Sequence, residues 1–233
     1  MPSLNLFSPL KLGSLHLANR ISMAPLTRKR AAQRASAGLI VTESSMVTPG
    51  TSAFYGDVGT FTDDQAAGWV QVTRAVHANG GKIFNQLNHP GRAAHPDLND
   101  GVINVAPSAL GIQGETRLPS GIALHHLPHA LSTHEIGSSG ANFAAAAKHA
   151  VDVAGFDGVE IHGANGYLIE EFLCDASNHR TDGYGGSLVN RARFLKEVLA
   201  TDTTVVDPSK VGIRFSPLNS YNSMKHADAL DVS

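Results

Sequence analysis

The sequence predicts an α/β protein in which a parallel sheet is covered by helices. Three observations predict it. Short β-branched and apolar runs recur along the 233 residues, at Arg20–Ala24, Leu39–Glu43, Lys82–Leu87, Gly158–His162 and Val211–Ser216. Between them lie longer stretches with apolar residues at helical spacing. The fourth run also passes into a glycine-containing turn, Gly163–Gly166, where a rigid scaffold presents chemistry and the backbone can approach a ligand.

Each helix has its own signals. Thr62 and Gln65 have the spacing of a capping box, Ala66, Trp69, Val70 and Val76 share one stripe with Thr73 as its only polar member, and Gly80 stops the helix. A second helix is expected from Ser132 or Thr133 to about Ala154, with Phe143, Ala147, Ala150 and Val153 on one side. Gly137, Ser138, Ser139 and Gly140 are poor helix formers and should fray its start. A third runs from about Ser187 to Leu199. Arg28–Gly38 leaves room for only one or two helical turns between the first two strands, and Arg92–Leu131, rich in Pro, Gly and His, reads as a long loop.

Composition narrows the function classes. Hydrophobic residues at 42% and charged residues at 16% are ordinary globular usage, and a net charge of -2 argues against a nucleic-acid footprint. No apolar run has the length of a membrane span, and residues 1–10 lack the pattern of a signal peptide. Cys174 is the one cysteine, so an internal disulfide is impossible and a reducing compartment, the cytoplasm, is expected.

The segment VEIHGANGY, residues 159–167, carries the clearest chemistry. Alternation along a strand sends Val159 and Ile161 to one face and Glu160 and His162 to the other, which puts His162 at the strand's carboxyl lip. Asn165 and Tyr167 follow in the turn. On their own these residues are also compatible with a satisfied core histidine and a packing aromatic. On VGIRFS, Arg214 shares the face of Gly212, and an inward arginine needs an anionic partner, either a ligand or Glu160, unless it lies at an exposed edge. Four histidines, His125, His126, His129 and His134, lie close together, but their intervals match no closed zinc pattern and a solvated loop is expected.

The chain resembles the old yellow enzymes, FMN-dependent ene-reductases built on a (βα)8 TIM barrel. The resemblance runs through LFSPLKLGSLHLANRISMAPLTR, AQRASAGLIVTE, QLNHPGR, GFDGVEIHGANGYLIEEFL and SNHRTDGYGGSLVNRARF, in that order. It implies reduction of the C=C bond of an α,β-unsaturated carbonyl compound, a small enone or enal, with NAD(P)H as reductant. The residues matching His162 and Asn165 donate hydrogen bonds to the substrate carbonyl, and Tyr167 matches the proton donor to the α-carbon. Pro25, Leu26 and Thr27 match the flavin contacts at the end of the first strand, and Ser44 stands where the family usually has Gly or Ala. Gln86 matches the residue that binds the flavin pyrimidine, although on spacing alone it could equally be a solvated strand-end amide. Arg214 matches the arginine beside flavin N1 and O2. The cluster Asn178 to Gly186 resembles a turn before a barrel helix, in which Arg and Asp pair.

The resemblance also sets an expectation about extent. A (βα)8 barrel needs eight strands, and the fifth ends near Ser216, so residues 1–233 are expected to form a single partial barrel domain. Both this gap and the short Arg28–Gly38 crossover look like excised sequence. The alternative to an ene-reductase is therefore a non-catalytic remnant that no longer retains FMN.

Overall fold

A computed structural model describes residues 5–26 and 31–227. In chain order its elements are β1 (Leu10–Leu12), β2 (Leu15–Leu17), β3 (Ser22–Met23), β4 (Leu39–Met46), β5 (Val58–Gly59), α1 (Asp63–His77), β6 (Ile83–Asn88), β7 (Val105–Ala106), β8 (Glu115–Leu118), β9 (Gly121–Leu124), β10 (His129–Ala130), α2 (Thr133–Lys148), β11 (Gly158–Gly163), α3 (Leu168–Leu173), α4 (Leu188–Arg191), α5 (Arg193–Val205) and β12 (Val211–Phe215).

The five expected strands form one parallel sheet in the order β12-β11-β6-β4-β3, with β5 adding to the end of β4. Neighbours in the sheet are also consecutive along the chain. Right-handed crossovers then put every connecting helix on the same side, which leaves the other side as a lumen; this is the winding of a barrel rather than of a doubly wound sheet. The described residues form an incomplete (βα)8 barrel. None of the described helices is long and apolar enough to cross a membrane.

Strand alternation separates two cores. Ile40, Ile83, Leu87, Val159 and Ile161 face the helices and pack with Val76, Phe143, Phe172, Phe194 and Val198. Val41 and Phe84 face the lumen and meet Leu15 and Leu17 of the β1–β2 hairpin, which plugs the barrel floor. The hairpin fits because Gly13 turns with φ +57° against Ser209, whose carbonyl oxygen would lie 2.2 Å from any added Cβ. Neither this hairpin nor α3 was anticipated from the sequence.

The α1 capping box forms in both directions, Gln65 N to Thr62 Oγ1 at 3.2 Å and Thr62 N to Gln65 Oε1 at 3.2 Å. Thr73, the polar member of the stripe, donates its hydroxyl to the Ala154 carbonyl at 2.6 Å and so stays satisfied in the core. The expected fraying of the second helix does not occur. Ser132 and Glu135 cap it, and Ile136, Ser139, Gly140 and Phe143 are buried along it, so capping and tertiary packing override weak propensity. That helix ends regularly at Lys148 and passes into a π turn over His149–Val153. The third expected helix is broken at Ala192 and continues to Val205.

Arg92–Leu131 is not a plain loop. It contains two short 3-10 turns, the β8–β9 hairpin, and β7 paired in parallel with β10. Asn104, buried inside it, donates to the carbonyls of Arg92 at 2.9 Å and His126 at 3.2 Å, an internal scaffold that composition does not reveal. Among its described residues, the crossover between β3 and β4 carries a 3-10 turn, Ala32–Arg34, in keeping with its short length. Beside it, on the outer face, a cavity of about 670 Å³ opens between that turn, β4 and α1, lined by Met23, Ala32, Thr42, Trp69 and Val72.

Candidate active site

The lumen face of the sheet is polar where a closed barrel ordinarily packs branched apolar side chains. The register brings Ser44 opposite Gln86, Gln86 opposite Glu160, and His162 opposite Arg214. Gln86, 2% exposed, donates Nε2–H to Glu160 Oε1 at 2.7 Å. Arg214 meets the same carboxylate, Nε to Oε1 at 2.9 Å and Nη2 to Oε2 at 3.4 Å. Of the partners open to Arg214, the structure therefore provides Glu160. The Arg214 side chain keeps about a third of its surface exposed, and Nη1 makes no hydrogen bond among the described residues.

His162 is 4% exposed, and burial, followed by the Arg214 charge, lowers its pKa to about 3. It is neutral at pH 7. Its Nδ1 accepts the Ala164 N–H at 3.3 Å, which places the imidazole proton on Nε2, and Nε2 has no partner among the described residues. The Tyr167 ring stands edge-on to this imidazole, with centroids 4.9 Å apart and planes at 82°. Tyr167 is 7% exposed among Ala53, Ala93 and Ile112, and burial raises its hydroxyl above the ordinary phenol range, so it remains protonated.

Asn165 is turned by its neighbours. It adopts φ +59°, its N–H donates to Ser216 Oγ at 2.8 Å, and its carbonyl accepts Asn222 Nδ2–H at 2.9 Å. Its side-chain Oδ1 accepts Asn219 Nδ2–H at 2.9 Å. The amide Nδ2 is then its uncommitted donor. The rim thus holds a neutral imidazole N–H, a carboxamide N–H and a protonated phenol on one short segment.

The other expected positions are distributed differently. Pro25 is half-buried and Leu26 is 54% exposed, and Leu26 lines the outer cavity beside Met23. Thr27 lies outside the described residues. Ser44 is half-buried on the lumen side. Of the four clustered histidines, His126 meets Asn104 and His129 meets Glu135 of α2, while His134 is exposed. Arg180 and Asp182 pair as expected, and Arg180 also reaches the Pro107 carbonyl at 2.9 Å.

Sequence reading missed the buried carboxylates next to the rim. Glu170 and Glu171 are 1% and 0% exposed on α3. Glu171 accepts the Arg92 N–H at 2.9 Å, while burial, opposed by Arg92, raises its pKa to about 8. Two adjacent glutamates inside the apolar run LIEEFL were the available signal.

A singly wound parallel barrel with hydrogen-bond donors and a protonated phenol at its carboxyl rim defines the class. The chain belongs to the NADH:flavin oxidoreductase / NADH oxidase family, whose model matches residues 5–232. It is 43% identical to a Leishmania infantum protein named "Probable flavin mononucleotide-dependent alkene reductase", covering 96% of this chain and 66% of that relative. It is 38% identical to 12-oxophytodienoate reductase 1 of Oryza sativa subsp. japonica, covering 93% of this chain and 60% of the relative. Among solved structures, morphinone reductase in complex with tetrahydroNAD superposes with a TM-score of 0.94 at 41% identity, covering 99% of this chain and 69% of that one. The chain thus spans less than two thirds of the length of these curated relatives.

Proposed function

We propose that this chain carries the substrate-activating half of an FMN-dependent ene-reductase that reduces the C=C bond of a small α,β-unsaturated carbonyl compound with NAD(P)H. One observation carries the reading: the bonds that fix their other atoms leave His162 Nε2–H and Asn165 Nδ2–H, on the same rim segment, without acceptors among the described residues. A carbonyl oxygen accepting from both would draw electron density from the conjugated alkene, and preoriented donors of this kind stabilise developing oxyanion charge.

The lumen residues fit the cofactor. The Gln86 carboxamide offers a planar acceptor and donor to a pyrimidine edge, and Arg214 places positive charge beside it, with Glu160 holding both in orientation. Ser44, on the lumen side, and Pro25, after the first strand, would complete the cradle, whereas Leu26 lines the outer cavity instead. FMN held there by Gln86 and Arg214 would, once reduced, be the source of the hydride for the β-carbon. Tyr167 then delivers a proton to the α-carbon from its hydroxyl, which burial keeps protonated. A free, buried Cys174 is compatible with a reducing, cytoplasmic setting.

A second reading, a remnant that does not retain FMN, is favoured by the position of Arg214 on β12, a strand that pairs only with β11 among the described residues. The visible absorption of the purified 233-residue polypeptide, followed during addition of NADPH and then 2-cyclohexenone, separates the two. Stoichiometric flavin that bleaches with NADPH and is reoxidised by the enone without oxygen supports the ene-reductase. A colourless protein that takes up no added FMN supports the remnant.

A further inference from the structure

We infer that Glu170 is a positioning residue for the rim donors, its one carboxylate holding the left-handed turn of Asn165 and Gly166 through Gly166 N–H, the Ser216 hydroxyl and the His226 imidazole. The inference rests on the function proposed above and adds a residue to it.

Asn165 at φ +59° and Gly166 at φ +70° are consecutive left-handed residues. That backbone suits glycine and is open to asparagine at a modest cost, so contacts to the turn decide how firmly it is held. Gly166 N–H donates to Glu170 Oε2 at 2.6 Å. Asn165 N–H donates to Ser216 Oγ, and with that lone pair occupied, Ser216 turns its own proton to the carboxylate, 3.3 Å from both oxygens. Both amides of the turn therefore end on Glu170, one directly and one through Ser216 at the end of β12.

A carboxylate 1% exposed needs a counter-charge, and His226 Nε2 lies 3.1 Å from Oε1 with its side chain fully buried. Burial works against the imidazolium, but Cys174 and Glu170 beside it hold its pKa at about 9, so His226 brings a positive charge to the carboxylate at neutral pH. Glu170 stands third in the six-residue α3, where a glutamate commonly reaches back as a helix cap. A cap alone would order α3. Here the same oxygens bind a turn whose geometry aims the Asn165 amide, and among the described residues Asn165 is otherwise gripped only by Asn219 and Asn222 from beyond β12.

The test compares E170A, E170Q and S216A in the full chain by amide NMR, alongside kinetics of FMN-loaded protein with 2-cyclohexenone. E170A should remove the low-field Gly166 amide signal and shift or split the Asn165 Nδ2 signals while those of α5 stay in place. In turnover it should lower kcat by about 10- to 100-fold with little change in KM or FMN affinity, the scale expected when a reacting group is displaced by about 1 Å. E170Q, which keeps an acceptor oxygen, should restore the Gly166 signal and much of kcat. If E170A does not fold, S216A breaks the Asn165 arm alone and is read by the same signals. Unchanged Gly166 and Asn165 signals, or lowered stability with unaltered kcat, would overturn the inference. A parent protein that binds FMN but reduces no enone would count against the proposed function, while the NMR comparison still judges Glu170.

Discussion

Replacing His162 and Asn165 together by alanine is expected to lower kcat/KM for enone reduction by roughly 10³-fold or more while leaving bound FMN in place. One such donor is worth about 3–4 kcal/mol to a developing oxyanion, and two donors on one oxygen are not additive, so the double variant should fall short of the product of the singles. The prediction depends on His162 being neutral. With its pKa near 3, the imidazole donates from Nε2 across the whole working range, and its own titration should not appear in the pH–rate profile above pH 5. Steady-state rates of the singles and the double, normalised to flavin absorption, check it. A loss under tenfold in the double variant would remove these residues from the site.

The second large effect concerns stability. Asp202 on α5 is 0% exposed, and among the described residues neither carboxylate oxygen has a hydrogen-bond partner. Burial raises its pKa from 3.8 to about 7. The folded state therefore holds a proton that the unfolded state releases near pH 4. Stability tied to this group is fully present below pH 4, falls as pH rises toward 7, and is lost above it. Taking about 1.4 kcal/mol per unit and discounting for relaxation, the penalty at pH 8 is on the order of 2–4 kcal/mol. Asp202→Asn should raise Tm at pH 8 by roughly 5–10 °C, with the gain shrinking steadily toward pH 4. Thermal melts of both proteins at pH 4, 6 and 8 decide it, and a gain independent of pH would show that the carboxylate is not titrating as described.

How far the sequence could be read depended on the range of the forces involved. The five sheet strands were legible because a strand's apolar residues repeat over a few positions, and the same alternation put His162, Glu160 and Arg214 on one face before any coordinates. The α1 capping box was legible for the same reason, since Thr62 and Gln65 are three residues apart. Fraying of α2 was expected wrongly because its first turns were judged by propensity, whereas the Ser132–Glu135 capping box and the burial of Ile136, Ser139 and Gly140 hold them. The scaffold inside Arg92–Leu131 was invisible because it depends on buried asparagines reaching carbonyls that composition cannot assign. Glu170 and Asp202 were missed for a related reason: whether a carboxylate is buried, and what faces it, depends on segments up to 56 residues away.

The sequence by itself determined the singly wound sheet, the family, and the identity of the donors on the rim, because each is written in local periodicity or in contiguous motifs. Only the tertiary structure decided which atom of each donor is free. That Nε2 of His162 carries the proton follows from Ala164 N–H occupying Nδ1, and that Nδ2 of Asn165 is available follows from Asn219 occupying Oδ1. A side chain's chemistry is set by its residue type, but its direction and protonation are set by the neighbours that folding brings to it.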